Sequence, residues 1–226
     1  MRILGIDTST KYAGIAVLDD GNLIAQSIMQ FKATHSEKLL PEIAHILEIM
    51  RIPLETIDYY AITVGPGSFT GLRVGVSTLK GLAYGTGKYI IPVSSLEVIA
   101  RRIVLVEKPI CPILDARKKE VYTALFQWNE GKLLRIKKDS VLTIEKLAEW
   151  INEQTIFTGD GVPIYKEKIS ALFGTKAIFI DSIYGIPSPE IVATVAQEKL
   201  REGFFISARE LEPIYLRKSE AEIKFG

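Results

Sequence analysis

The sequence has few of the residues that metal sites and disulfides need. Among its 226 residues there is one cysteine, Cys111, and there are two histidines, His35 and His45. A single thiol excludes an intramolecular disulfide and a cysteine-based zinc site, and it fits a reducing compartment. The histidines are too far apart to share a helix face as a metal pair, and no third ligand is evident. We therefore predict no metal site, and we expect Cys111 to be a small buried hydrophobic residue.

Long apolar runs and an excess of charge are also absent. No segment approaches the roughly 18 apolar residues of a membrane span, and the apolar run at the N-terminus is too short for the core of a secretion signal. The net charge is +1, with 28 Lys and Arg against 27 Asp and Glu. Such a composition gives no general attraction to nucleic acid. We expect a soluble, cytoplasmic protein in which any RNA contact is local or supplied by a partner.

The hydrophobic pattern predicts an α/β fold made of two similar halves. The first has strands at 3–6, 13–18 and 23–28, a helix after a capping box of Thr34 and Glu37, a strand at 59–64, a helix at 69–84, a strand at 90–93 and a helix capped by Ser94. The second has strands at 110–114, 121–128 and 133–136, a helix from 143 to 152, a strand at 155–158 and a helix at 189–201. Pro41 predicts a bend in the first helix or a start nearer the proline. Each half is expected to form a mixed sheet covered by helices.

Two polar turns follow predicted strands in the first half. A strand that ends in Asp before three hydroxyl residues can offer N–H groups and hydroxyls to a phosphate, with the carboxylate toward a metal; these residues are Asp7, Thr8, Ser9, Thr10 and Lys11. The alternative, which the residue types alone favour, is a polar hairpin turn. The second turn, residues 65–71, lacks the Gly-Lys-Ser/Thr ending of a P-loop and the glycine spacing of a dinucleotide-binding loop. We interpret it as a tight turn that leads into a helix.

The helix predicted at 69–84 is more apolar than a helix lying on one sheet requires. Its apolar stripe consists of Phe69, Leu72, Val76, Leu79 and Ala83, and the neighbouring arc is filled by Gly71, Gly75, Thr78, Gly81, Leu82 and Gly85. Each glycine inside a helix costs about 1 kcal/mol relative to alanine. The glycines therefore indicate that something packs closely against this helix. Packing within the monomer and a helix–helix interface with another subunit are equal alternatives.

The second half offers weaker signals. Residues 115–120 form a charged hairpin tip, which we interpret as a solvated turn, with a contact to phosphate or RNA as the alternative. Residues 159–161 follow a strand, where ligands often bind in α/β folds. No nucleophile, base and orienting residue can be assembled from neighbours, so we assign no catalytic residue.

Six segments together resemble the TsaB (YeaZ-type) family across essentially the whole chain. They are residues 3–10 (ILGIDTST), 35–41 (HSEKLLP), 64–75 (VGPGSFTGLRVG), 92–97 (PVSSLE), 114–122 (LDARKKEVY) and 212–217 (EPIYLR), of which 65–75 is the most specific. The resemblance implies the duplicated fold of actin, hexokinase and the Hsp70 chaperones (the ASKHA fold). Its lobes would be residues 1–103 and 104–226, with the C-terminal segment free to pack back on the first lobe.

The resemblance also implies a role as a partner protein. TsaB-like proteins pair with TsaD, the transferase that makes N6-threonylcarbamoyladenosine at adenine 37 of tRNAs reading ANN codons, and they act with the ATPase TsaE. They pair through their first two helices and form homodimers through the same surface. On this chain the implied interface residues are Leu39, Ile43, Leu47, Gly71, Leu72, Gly75, Thr78, Leu79 and Leu82. Contact with tRNA is implied through the complex, with Arg73, Lys80, Arg117, Lys118 and Lys119 as candidates.

Departures from the motifs of related enzymes imply that the chain is not itself a catalyst. TsaD carries a metal-binding His-x-x-x-His, and the matching stretch here, from Ser95 to Ile99, has neither histidine. Nucleotide-binding relatives use Asp-x-Gly loops, whereas Thr8 follows Asp7 and Ala116 follows Asp115. No cofactor of its own is implied; weak binding of ATP or ADP with magnesium in the complex would use residues 7–11 and Asp115. The alternative is an enzyme of the same superfamily, a small-molecule kinase or a peptidase.

Overall fold

The chain forms two compact units. The computed structural model describes residues 1–30, 35–104, 106–186 and 188–217. Unit 1 comprises Met1–Val98 and Pro187–Ile214, and unit 2 comprises Ile99–Ile186 with the described residues from Tyr215. The first crossing between units lies close to the boundary expected at residue 103, and the chain returns to unit 1 for residues 187–214.

Unit 1 is a five-stranded mixed sheet with helices on both faces. Its strands are β1 (Arg2–Asp7), β2 (Tyr12–Asp19), β3 (Asn22–Gln30), β4 (Tyr59–Gly65) and β5 (Tyr89–Ser94), in the order β3-β2-β1-β4-β5. β1, β4 and β5 run parallel, and β2 and β3 are antiparallel to their neighbours. Its helices are α1 (His35–Ile49), α2 (Phe69–Thr86) and the later α5 (Pro189–Arg201), while α3 (Ser95–Arg101) contains the unit boundary.

Two apolar layers hold unit 1 together. Leu39 and Ile43 of α1 and Leu79 of α2 belong to one cluster with the strand residues Leu4 and Ile62. On the other face, α5 contributes Val192 and Ala193 to a cluster with Ile3, Ala16 and Val93. The sheet is therefore covered by α1 and α2 on one side and by α5 on the other.

Unit 2 repeats the strand order of unit 1. Its strands are β6 (Ile110–Asp115), β7 (Glu120–Asn129), β8 (Lys132–Thr143), β9 (Thr155–Thr158) and β10 (Ala177–Phe179), and its long helix is α4 (Val162–Phe173). The order β8-β7-β6-β9-β10 matches β3-β2-β1-β4-β5 position by position. β6 and β9 are parallel, as are β9 and β10. The predicted duplicated α/β fold, with a mixed sheet flanked by helices in each lobe, is confirmed.

One local prediction was wrong, and others were incomplete. Residues 143–152 do not form an α-helix: Thr143 ends β8, and only a 3-10 turn at Glu145–Glu149 follows. Ile144, Leu147 and Ile151 are buried there, so a compact turn satisfies the spacing that suggested a helix. The strand predicted at 133–136 continues to Thr143, and α4 and β10 were not predicted. Of the two alternatives for Pro41, a helix start near the proline is excluded because the proline lies inside α1, and the bend stays a prediction. The capping box of Thr34 and Glu37 cannot be assessed, since Thr34 lies outside the described residues.

None of the described helices combines the length and the hydrophobicity needed to cross a bilayer.

Candidate functional sites

The first candidate site is the loop after β1, where the sequence placed residues for nucleotide binding. Asp7, Thr8, Ser9 and Thr10 are each at most 3% exposed. One oxygen of Asp7 accepts hydrogen bonds from the backbone N–H of Ser9 at 2.8 Å and from its hydroxyl at 2.7 Å. Burial raises the pKa of the Asp7 carboxyl, and the bonds from Ser9 oppose that rise. The loop is therefore closed on itself rather than open to solvent.

The glycines after β4 and in the first half of α2 pack against this loop. A Cβ on Gly67 would overlap the carbonyl oxygen of Ser9, and one on Gly71 would overlap that of Thr8. A Cβ on Gly75 would overlap Oγ1 of Thr8. The close approach that the sequence analysis inferred for this helix is thus made, at these positions, within unit 1.

Ser68 fixes the start of α2 beside the same loop. Its backbone N–H donates to the carbonyl of Ser9 at 2.6 Å, and its hydroxyl accepts from the N–H of Gly71 at 3.2 Å. The hydroxyl is therefore the N-cap of α2. This confirms the prediction that the turn leads directly into a helix.

Several buried side-chain oxygens near the loop have no hydrogen-bond partner among the described residues. They include Oγ1 of Thr8 and Oε2 of Glu190, and the Glu190 charge contributes to the raised pKa of Asp7. Buried polar atoms without partners are uncommon in folded proteins. Lys11 differs from its neighbours because it is exposed, with its ammonium 5.4 Å from the centre of the Tyr12 ring. Among residues 1–30, 35–104, 106–186 and 188–217, no three His, Cys, Asp or Glu side chains converge as a metal site.

The second candidate site is the loop after β6, the counterpart of the first loop in unit 2. One oxygen of Asp115 accepts from the backbone N–H of Arg117 at 2.9 Å and from the hydroxyl of Tyr165 at 3.1 Å. Burial and the nearby Asp115 raise the pKa of Tyr165 to about 12. Sequence reasoning missed Tyr165 because it did not predict α4. Asp115 therefore has two hydrogen bonds that hold its own loop.

The segment after β9 lies against the same end of β6. The N–H of Gly161 donates to the carbonyl of Ile113 at 3.0 Å, and a Cβ on Gly159 would overlap that carbonyl. Gly185 in turn approaches the backbone of Gly159. Packing therefore accounts for the glycines of this segment.

The third candidate site is the surface of α1 and α2 that faces away from the sheet. A groove of about 280 Å³ lies along α1 and the segment that follows it, with Leu82 contributed by α2; its lining residues are Leu40, Ile43, Ala44, Leu47, Glu48, Ile52, Leu54 and Leu82. Leu40 is 50% exposed and Tyr84 is 64% exposed. Gly81 and Gly85 are exposed, and a Cβ on either would meet no atom within 4 Å. This surface is apolar and grooved, and it carries no side chain at Gly81 and Gly85.

The residues predicted for a partner interface divide between the interior and this surface. Leu39, Ile43, Leu47, Gly71, Leu72, Gly75 and Leu79 are buried in unit 1, and only Thr78 and Leu82 are partly exposed. The small face of Gly71 and Gly75 is accordingly wrong as a place of close approach by a partner. Both contact the Asp7 loop, which no periodicity argument could distinguish from a partner. The exposed small face of α2 lies about two to three turns beyond Gly75, at Gly81 and Gly85.

The fold and its two equivalent loops define a class of protein. The chain superposes on the ROK hexokinase of Thermus thermophilus with a TM-score of 0.50 at 9% identity, covering 90% of this chain and all of that one. It superposes on component A of the (R)-2-hydroxyglutaryl-CoA dehydratase of Acidaminococcus fermentans with a TM-score of 0.51 at 14% identity, covering 89% and 99%. At these identities the likeness concerns the fold alone. The fold is that of the actin-like ASKHA class.

Closer relatives identify the family. A family model described as "TsaD: tRNA N6-adenosine threonylcarbamoyltransferase" matches residues 29–225. The tRNA threonylcarbamoyladenosine biosynthesis protein TsaB of Bacillus subtilis is 33% identical, covering all of this chain and 98% of the relative. The TsaB protein of Escherichia coli is 30% identical, covering 98% and 96%. A structure of YeaZ from Pseudomonas aeruginosa superposes with a TM-score of 0.82 at 25% identity, covering 95% and 99%. The chain belongs to the TsaB family.

Proposed function

We propose that this chain is a non-catalytic subunit of the machinery that makes N6-threonylcarbamoyladenosine at position 37 of ANN-decoding tRNAs. In this role it binds and activates the TsaD transferase together with TsaE. The names of its full-length relatives and the matching transferase family model support the pathway. The observation that carries the partner role is the exposed apolar surface of α1 and α2.

The shape of that surface suits a helical partner. Leu40, Ala44 and Glu48 of α1 recur at intervals of four, so they share one face, and all three are exposed. Gly81 and Gly85 of α2 are spaced in the same way. Small residues at this spacing let a second pair of helices approach closely, while Leu40 and Leu82 supply apolar contact. The proposed occupant is a pair of helices of TsaD, and in their absence a second copy of the chain would use the same surface.

The two polar loops support a scaffold role. The hydrogen bonds to Asp7 and Asp115 come from the loops themselves and from Tyr165. A general base must reach its substrate proton within hydrogen-bond distance, and Asp7 is buried. The stretch from Ser95 to Ile99 lies at the start of α3 and offers no histidine. The proposal therefore includes no cofactor of the chain's own; binding of ATP or ADP with magnesium at the loops would be a property of the complex.

The test is reconstitution of the modification. Transfer of the threonylcarbamoyl group from threonylcarbamoyl-adenylate to a tRNA transcript is measured with TsaD and TsaE, with and without this chain, and the chain alone is incubated with ATP. We expect product only when the chain and TsaD are both present. Turnover by the chain alone would instead favour the kinase or peptidase alternative, and product formation unaffected by the chain would contradict the activating role.

A surface variant separates the interface from the fold. Ala44→Arg places a bulky cation in the groove at an exposed position, so the chain should stay folded while its affinity for TsaD falls at least tenfold. Ala171→Arg makes the same change at an exposed position of α4 in unit 2 and should leave the affinity unchanged. Affinity is measured by calorimetry on the purified chains. Equal affinities for the two variants would mean that the groove is not the interface.

A further inference from the structure

The near-neutral charge of the chain conceals a division between its units. Over the described residues, unit 1 has 10 Lys and Arg against 14 Asp and Glu, a net charge of −4. Unit 2 has 15 Lys and Arg against 11 Asp and Glu, a net charge of +4. Composition alone excluded a general attraction to nucleic acid, but the folded chain concentrates its positive charge in one unit. A local polyanion site is therefore to be sought in unit 2.

Three consecutive cations in unit 2 adopt the left-handed conformation. The φ angles of Arg117, Lys118 and Lys119 are 63°, 50° and 63°, and all three residues are exposed. This conformation costs roughly 1–2 kcal/mol for each residue that is not glycine. Glycine or asparagine would make the same bend at lower cost. We call these three residues the basic turn; the fold maintains it in spite of its conformational cost.

The ends of the basic turn are fixed by other residues. The N–H of Ala116 donates to the carbonyl of Glu120 at 3.0 Å. Arg217 donates from Nη1 to the carbonyl of Ala116 at 2.9 Å, and the same Nη1 lies 3.3 Å from Oε2 of Glu120. Asp115 accepts from the N–H of Arg117. The turn is thus braced at both ends, and its lysines are presented from a fixed backbone.

The two lysines of the basic turn are not paired with an acidic side chain in the part of the chain that the structure describes. Neither Lys118 nor Lys119 forms an ion pair with any residue of the described chain. Arg117 has one, with Asp115 at 3.5 Å, but its side chain is 85% exposed. Exposed cations without acidic partners are available to an external anion. Such contacts are strengthened when counterions leave a polyanion.

The edge strand β8 extends the positive surface. Lys132, Lys137 and Lys138 are exposed on it, and β8 ends the strand order of its sheet. Glu120 pairs with Thr143 and Leu125 with Lys137, which puts Lys137 roughly 17 Å along the sheet from the turn at about 3.4 Å per residue. Lysines on an edge strand also discourage strand pairing between molecules. They are therefore weaker evidence for a polyanion site than the basic turn is.

We propose that the basic turn contacts the phosphodiester backbone of the tRNA that the complex modifies. This inference rests on the proposed function for the identity of the polyanion. Contacts between lysine and phosphate are not specific for sequence, so the turn would contribute affinity and orientation, while selection of the tRNA would lie elsewhere in the complex. Lipid headgroups also carry phosphate groups, and the test distinguishes binding to lipid from binding to RNA.

The test removes two charges without disturbing the backbone. Asparagine tolerates the left-handed region, so Lys118→Asn with Lys119→Asn should keep the turn folded. The matched control, Lys146→Asn with Lys176→Asn, removes two exposed charges from the same unit at 3-10 turns. The dissociation constant of a tRNA transcript is measured at several salt concentrations, for the full chain alone and in complex with TsaD.

The expected result is a loss confined to the turn variant. Its affinity for tRNA should fall roughly tenfold at about 0.1 M salt, and the salt slope should fall by about 1.5 because two phosphate contacts are lost. The control should match the wild type in both respects. Equal affinities for the turn variant and the wild type, or no tRNA binding in either form, would overturn the proposal. So would a loss of binding to phosphatidylserine vesicles with tRNA binding intact.

Binding of TsaD, measured without RNA, distinguishes this failure from failure of the proposed function. If TsaD binds wild type and turn variant equally while tRNA binding is unchanged, only the basic turn is wrong. If TsaD does not bind the wild type, the partner role is wrong. The binding of tRNA by the chain alone then still tests whether the basic turn contacts RNA.

Discussion

Two glycines of helix α2 differ in how closely they are packed, and this difference determines the effect of substituting each of them. Gly75 faces Oγ1 of Thr8 and Cδ1 of Ile62, whereas Gly81 faces open space. Gly75→Ala should destabilise the chain by about 1–3 kcal/mol, since a methyl group must be forced into a packed interior. Gly81→Ala should stabilise it by up to about 1 kcal/mol, because alanine favours the helix. Urea denaturation of the two variants measures both effects.

The pair also corrects an inference from the sequence. The helical wheel left packing within the monomer and a subunit interface open for Gly71 and Gly75, and the family resemblance implied the interface. On that assignment even Gly75→Arg would leave the monomer folded. The position of Thr8 contradicts this, and we now expect Gly75→Arg to unfold unit 1. If Gly75→Ala were as stable as Gly81→Ala, the packing of the Asp7 loop on α2 would have to be different. The wheel indicates that a helix is closely packed but does not identify its neighbour.

The buried Asp7 carboxyl makes the stability of the chain depend on pH. Burial raises its folded-state pKa above the ordinary 3.8, so the native state binds the extra proton between the two values, and its stability falls as the pH rises through the folded pKa. Asp7→Asn keeps an oxygen that can accept from Ser9 but carries no charge. We expect the variant to be more stable than the wild type at pH 7, by a difference that shrinks toward pH 4. A difference independent of pH, measured by urea denaturation, would contradict the raised pKa.

At the scale of elements, strands and strongly amphipathic helices were predictable. The bounds of β1, β2, β4, α2 and α5 agree with the sequence pattern to within a few residues. The hydroxyl of Ser94 accepts from the N–H of Glu97 at 3.4 Å, as expected of a cap at the start of α3. These elements have patterns that depend on local spacing alone. Burial of their apolar faces then follows wherever the fold puts a sheet beside them.

The elements that were missed lack such a signal. β10 has only three residues, all half-buried, so no alternation can develop along it. Helix α4 follows Gly159 and Gly161, and its first turn contains Pro163. These residues together indicate the end of a strand rather than the start of a helix. The 3-10 turn at Glu145–Glu149 has helical spacing over one turn only. Short elements are decided by tertiary contacts, which single-sequence patterns do not contain.

The candidate site was predictable by region but not by face. The sequence and the family resemblance both indicated α1 and α2, and the groove is lined mainly by α1 and the segment after it, with Leu82 from α2. They did not separate the buried face of Leu39 and Leu79 from the exposed face of Leu40 and Gly81, because both faces are apolar or small. The charge division between units was likewise invisible in a net charge of +1. Both features depend on the folded arrangement.

At the scale of the whole molecule, unit 1 is completed by residues that follow unit 2 in the sequence. Cβ atoms on Gly5 and Gly14 would overlap Pro189 at the start of α5, so β1 and β2 require glycine where this helix packs. Lys199 donates to the carbonyl of Pro92 at 2.8 Å. Ile214 donates from its N–H to the carbonyl of Val64 at 2.7 Å. A segment from the end of the sequence is thus part of the first core.

Truncation of the chain tests this dependence. A chain that ends at Ile186 lacks α5, which leaves Ile3, Ala16 and Val93 without their cover. Because this removes an entire layer of apolar contact, we expect unit 1 to lose its cooperative urea transition and the truncated chain to aggregate. Co-expression of residues 187–226 as a separate peptide should restore a soluble, cooperatively folding complex, since the contacts of α5 need no covalent link to unit 2. A truncated chain that unfolds at the same urea concentration as the full chain would mean that unit 1 is complete without α5, and the close approach of Pro189 to Gly5 and Gly14 would then need another explanation.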